Sequence, residues 1–137
     1  MKAYKASSFH HPELVLEKSR AQLAKMILRL FDHWQLDTAS KLCLLGLSIS
    51  SRAMLSQYAK GMTAFPFTQD ILDRAGWLLA IHQALRSLYP KNPELCYGWI
   101  LLRNAVFQNL TPLEFMKTQG IIGIAKVARY LQTQLVK

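Results

Sequence analysis

Four histidines, two cysteines and eight carboxylates are the side chains of this chain best suited to act on a small molecule, and their spacing decides whether they do. His10, His11, His33 and His82 pair with no Cys or Glu at metal-ligand spacing, and neither an HExxH nor a CxxC run occurs. His10-His11 is a weak metal pair at most. His82 falls on an apolar helix face, the place of a hydrogen-bonded core histidine. Asp70 and Asp73 lie three apart at a helix start, where negative charge complements the dipole without any acid–base role. Gly120-Ile-Ile-Gly123 lacks the Lys-Ser/Thr pair and the preceding strand of a phosphate loop, and instead marks a helix end and a helix start. Cys43 and Cys96 stand far apart in apolar surroundings and read as buried free thiols of a reducing cytosol. The expectation is a protein that is not an enzyme and needs no metal or cofactor.

Charge points elsewhere. Seventeen Lys and Arg against eight Asp and Glu leave a net +9, which favours an acidic partner: nucleic acid, an anionic surface or an acidic protein. The excess falls in two zones. Thr38–Gln69 holds Lys41, Arg52 and Lys60 without an acid; the stretch after Glu114 holds Lys117, Lys126, Arg129 and Lys137, again without one. Two basic zones suggest two surfaces.

The elements that position these residues are helical. Pro12 opens a helical pattern whose stripe Leu23, Ile27, Leu30, Trp34 has the four-three-four spacing of one long amphipathic helix. Asp37 or Thr38 then caps a short helix, Ala39–Leu45, closed by Gly46. Ser50 is placed to cap a third helix, Ser51–Lys60, ended by Gly61. Met62–Phe67 is an apolar loop that should pack down. Gln69–Tyr89 is the central helix, broken by Pro90 and Pro93. Asn92 caps a helix from Pro93 to about Leu102, and Arg103–Leu110 is a loop. Thr111-Pro-Leu-Glu114 combines a capping hydroxyl, Pro at the first turn and a closing Glu, a strong helix start. That helix ends at Gly120, and Ile121–Val136 follows. No segment alternates with period two. The fold class is therefore all-α, a compact bundle of about seven helices. Residues 1–11 form a leader, 12–67 a helix-turn-helix-like part, and 68–137 a second helical part. No uncharged stretch exceeds about eleven residues, short of the roughly 18 a membrane span needs, and the N-terminus lacks a secretory h-region. A cytoplasmic location is expected.

The layout of Ala39–Leu45, Gly46 and Ser51–Lys60 would present Ser51, Arg52, Gln57 and Lys60 outward. Arg and Gln can read guanine and adenine edges, and Ser and Lys can hold phosphate. A helical hairpin of an ordinary core is the alternative reading. Downstream, Trp99, Asn104, Phe107 and Thr111-Pro112-Leu113-Glu114 make a helix, an aromatic-anchored loop and a capped helix ahead of a basic terminal segment.

In this order and spacing, together with Trp34-Gln-Leu, Leu44-Leu-Gly-Leu-Ser48, Ser51-Arg52, Tyr58-Ala-Lys-Gly61, Asp73-Arg74 and Leu88-Tyr-Pro90, the chain from about Leu28 onward resembles the Xre/MbcA/ParS family of bacterial antitoxins. It departs from the usual pattern in carrying Arg103-Asn104 for Pro-Asn and Leu110 at a glycine position. The resemblance implies an antitoxin that neutralises a RES-domain, NAD-degrading toxin by occluding its active site. Toxin contact would fall on Trp99, Asn104, Phe107, Thr111, Pro112, Leu113, Arg129 and Tyr130. It also implies autoregulation through operator DNA and assembly as a homodimer or toxin–antitoxin hetero-oligomer. The alternatives are a helix-turn-helix repressor without a toxin, acting through Ser51, Arg52, Gln57 and Lys60, and a helical adaptor for an acidic protein.

Overall fold

The computed structural model describes residues 12–137; the leader, with His10 and His11, lies outside them. Among the described residues there is no strand, and six α-helices follow one another: α1 Glu17–His33, α2 Thr38–Leu45, α3 Met54–Ala59, α4 Gln69–Leu88, α5 Pro93–Gly98 and α6 Pro112–Leu135. Short 3-10 turns occupy Pro12–Val15, Ile49–Ser51, Trp99–Leu101 and Ala105–Phe107. The architecture is thus all-α, with six helices rather than about seven. The expected break at Gly120 is present as a kink inside α6: Gly120 takes the non-helical φ 67°, ψ −146°, and the two helical segments on either side of it run on as one element.

Two helix starts also lie later than the sequence suggests. Pro12–Val15 is a separate 3-10 turn, because Leu16 is extended (φ −77°, ψ 130°) and α1 begins after it. The third helix starts at Met54, not Ser51. The Ser50 hydroxyl bonds the Ser48 hydroxyl instead of a free helix amide, and Ile49–Ser51 winds as 3-10. Competition of this kind, side chain against cap, is the ordinary behaviour of short serine runs. The caps at α2, α5 and α6 form: Asp37 accepts from the Ser40 amide at 2.8 Å, Asn92 from Leu95 at 3.1 Å, and Thr111 and Glu114 close a reciprocal box at 3.0 Å each way.

One apolar core runs from Leu14 to Leu131. Its axis is α4, which packs against α1, α2, α5 and α6 and buries Leu72, Ala75, Leu78, Ile81 and Leu85. A helix apolar on nearly every side belongs at the centre of a bundle. The loop after α3 does pack down: Phe65 is fully buried and meets Tyr58 edge-on at 4.9 Å. Arg20 fastens that loop to the first turn. Its Nε donates to the Phe65 carbonyl at 2.8 Å, its Nη1 to the carbonyls of Leu14 (2.9 Å) and Val15 (2.8 Å), and the guanidinium lies over Phe67. No helix among the described residues is long and apolar enough to cross a membrane.

Candidate interaction surfaces

The C-terminal corner is built on aromatic rings. Trp99 meets Phe107 edge-on at 6.3 Å and stacks on Tyr130 at 6.3 Å; Phe107 touches Tyr130 at 5.4 Å and Phe115 at 5.0 Å. Each such pair adds roughly 0.5–1.5 kcal/mol beyond the area it buries. Asn104 organises the loop between them. Its side-chain oxygen accepts from the Val106 amide at 3.0 Å, its own amide donates to the Leu110 carbonyl at 3.1 Å, and its carbonyl accepts from Phe107 and Asn109. Gln108 and Asn109 both take positive φ, 60° and 61°, and Arg103 donates to the Asn109 carbonyl at 3.0 Å. Arg103 therefore braces the loop from outside.

The eight residues expected at a toxin interface fall into three groups. Trp99, Phe107 and Pro112 are buried; Asn104, Thr111, Leu113 and Tyr130 are half-buried; Arg129 is exposed, its guanidinium 5.6 Å over the Trp77 ring. The buried set holds the corner rather than facing solvent. Around it the same loop exposes three apolar side chains that sequence patterning passed over, Leu101 (46%), Leu102 (52%) and Val106 (57%). Leu101 and Leu102 were hidden because an apolar run after Trp99 reads as more core, whereas a 3-10 turn and an extended Leu102 turn them outward; Val106 sits in a second 3-10 turn that buries Phe107 instead.

The front surface is held by polar contacts. Gly46 closes α2 in the left-handed region, φ 70°, and Arg74 reaches from α4 to the α2 terminus. Its Nη1 donates to the carbonyls of Cys43 and Leu44 at 3.4 Å, while its Nε pairs with Asp70 at 3.1 Å. A cation at a helix C-terminus satisfies carbonyls that lack intrahelical partners. Beyond the turn, Arg52, Gln57 and Lys60 are exposed and Ser51 is half-buried; the Gln57 side-chain oxygen accepts from Thr63 at 2.6 Å. Cys96 is buried, but Cys43 is only half-buried, its thiol donating to the Lys117 carbonyl at 3.6 Å. Lys117 Nζ in turn donates to the Ser40 hydroxyl, tying α6 to α2.

His82 departs from the hydrogen-bonded core histidine expected of it. The side chain is half-buried, and its Nδ1 is buried without a partner. Burial, then the charges of Arg86 and His33, hold its pKa below the ordinary 6.5. No three His, Cys, Asp or Glu side chains among the described residues gather into a metal-sized cluster. Compared with protein-family models, curated proteins and solved structures, the chain matches none.

Proposed function

We propose that this protein is an inhibitory binding module, an antitoxin that closes the active site of a RES-domain, NAD-degrading toxin. The observation that carries the reading is the corner loop: Leu101, Leu102 and Val106 stand exposed on a backbone pinned from beneath by Trp99, Phe107 and Asn104. A preordered apolar loop loses little conformational freedom on docking, which favours tight association. Interface energy concentrates in a few apolar and aromatic anchors, and here they would be these three side chains with Tyr130. Arg129, on the next helix face, would then lie at the mouth of the occluded cavity. The occlusion needs no reacting group on the antitoxin. Co-expression with a RES-domain protein tests it: the pair should co-purify, and Leu102→Asp with Val106→Asp should abolish the complex while the chain stays folded. Retention of the complex in that variant, with Tyr130→Ala equally silent, would overturn the assigned surface.

A second reading has its own observation. α2, the left-handed Gly46 and α3, which bears exposed Gln57 and is flanked by exposed Arg52 and Lys60, have the order of a DNA-binding helix-turn-helix, which supports a repressor role, alone or as autoregulation. The six-residue α3 carries no cation of its own, only Arg52 before it and Lys60 after it, which predicts a shallow salt dependence of operator binding. Loss of that binding in Arg52→Ala with Lys60→Ala would support this reading.

A further inference from the structure

A groove of about 260 Å³ lies where α1, α4 and α5 meet, lined by Arg29, His33, His82, Arg86 and Tyr97 over Leu79. Tyr97 stacks on both imidazoles, its ring centre 4.5 Å from His33 and 5.8 Å from His82. Four side chains able to carry positive charge therefore share one depression. No carboxylate lines it. The acids that could answer them are engaged or displaced: Asp32 pairs with Lys41, Asp70 with Arg74, and Glu94 lines the adjoining groove that His33 and Tyr97 also border. Neither Arg29 nor Arg86 has an ion-pair partner among the described residues. Like charges gathered without a counter-ion repel, and a bound anion removes that cost. Arginine suits phosphate because its fork donates two parallel hydrogen bonds. Imidazole suits it because it gains a proton as the anion arrives.

We propose that this groove binds the phosphate group of a small phosphate compound, held by Arg29 and Arg86 with His33 and His82 donating beside them. The site is separate from the corner loop and does not depend on the antitoxin reading. A ring attached to the phosphate would find the exposed edge of the His33–Tyr97 stack.

Imidazole resonances of the full chain report the binding directly. Titration with inorganic phosphate, and separately with adenosine monophosphate, at ionic strength held constant with chloride, should shift the His33 and His82 resonances saturably and raise the depressed pKa of His82. The pH response must be read against every group facing these imidazoles: Arg29 from α1, Arg86 from α4, and Cys96, Tyr97 and Glu94 from α5. Tighter binding of the nucleotide assigns the ring stack a share of the site; equal affinity assigns the site to the phosphate alone. Arg86 and Arg29 are exposed, so Arg86→Ala and Arg29→Ala should keep the fold, and each should weaken binding about tenfold. Shifts that chloride reproduces, shifts that never saturate, or affinity unchanged in both variants would overturn the proposal.

Discussion

The loop at Asn104 and the turn at Gly46 are both irregular joints between helices, but they are fixed by opposite physics. The first sits on buried rings, Trp99, Phe107 and Phe115, and turns apolar side chains to solvent. The second is fixed by a guanidinium on helix carbonyls and turns polar side chains to solvent. Apolar burial is insensitive to salt and directionless; a partly exposed ion–carbonyl contact is screened. The same small protein thus turns an apolar surface to solvent at one joint and a polar surface at the other.

The sharpest way to break this contrast is to remove its anchor. Phe107→Ala should cost about 3–5 kcal/mol in chemical denaturation and release the loop; a loss no larger than that of a surface substitution would erase the distinction. Gly46→Ala comes next. An added Cβ would stand 2.8 Å from Arg74 Nε at a φ of 70°, so about 1–2 kcal/mol of backbone cost should appear along with displacement of the arginine. Thr111→Ala should cost about 1 kcal/mol. The Glu114 carboxyl, held below its ordinary 4.5 first by the Thr111 amide and then by the Thr111 side chain, should stay depressed in that variant, because alanine keeps the amide, and rise only by the side-chain share in a carboxylate titration.

Acid sharpens the comparison further. His82 is held below 6.5, so the unfolded chain binds its proton first. Its contribution to stability is complete above pH 6.5 and declines as pH falls from there toward the folded value. Glu114 and Asp37 are depressed carboxyls whose contributions persist above 4.5 and 3.8 respectively and fade at lower pH. Melting temperature should therefore fall in two acid stages, and His82→Gln should remove the first alone. The smallest effect belongs to the front surface: Arg52→Ala and Lys60→Ala should each leave stability within about 0.5 kcal/mol, as judged by the same denaturation curves.

Local chemistry made much of this legible in the sequence. The Thr111–Glu114 box, the Asn92 cap, the stripe through Leu23, Ile27, Leu30 and Trp34, and the buried Phe65 loop all follow from neighbours within a few residues, and all are present. What was illegible depended on partners distant in the chain or on competing local bonds. Nothing near Gly46 announces Arg74, 28 positions on, as the group that completes the α2 terminus. Nothing near Phe65 announces Arg20. Ser50 offered a cap by type and spent its hydroxyl on Ser48. The corner residues were singled out by spacing, but of the side chains that reach solvent there, Leu101 and Leu102 were masked by the apolar run that contains them and Val106 by its place beside Phe107.

Gly120 finally decides where the last fifteen residues of α6 are aimed. Its φ 67°, ψ −146° is a bearing that side-chain-bearing residues scarcely adopt, yet the space around it is open, with no atom within 4 Å of a built Cβ. A larger residue would meet no neighbouring atom but would strain the backbone at that φ, and relief of the strain would straighten the rod. The portion before the bend would stay moored to α2 through Lys117 and Ser40, and the portion after it would swing Arg129 off Trp77 and Tyr130 off Trp99. One backbone angle, with no contact of its own, thus steers the whole C-terminal arm.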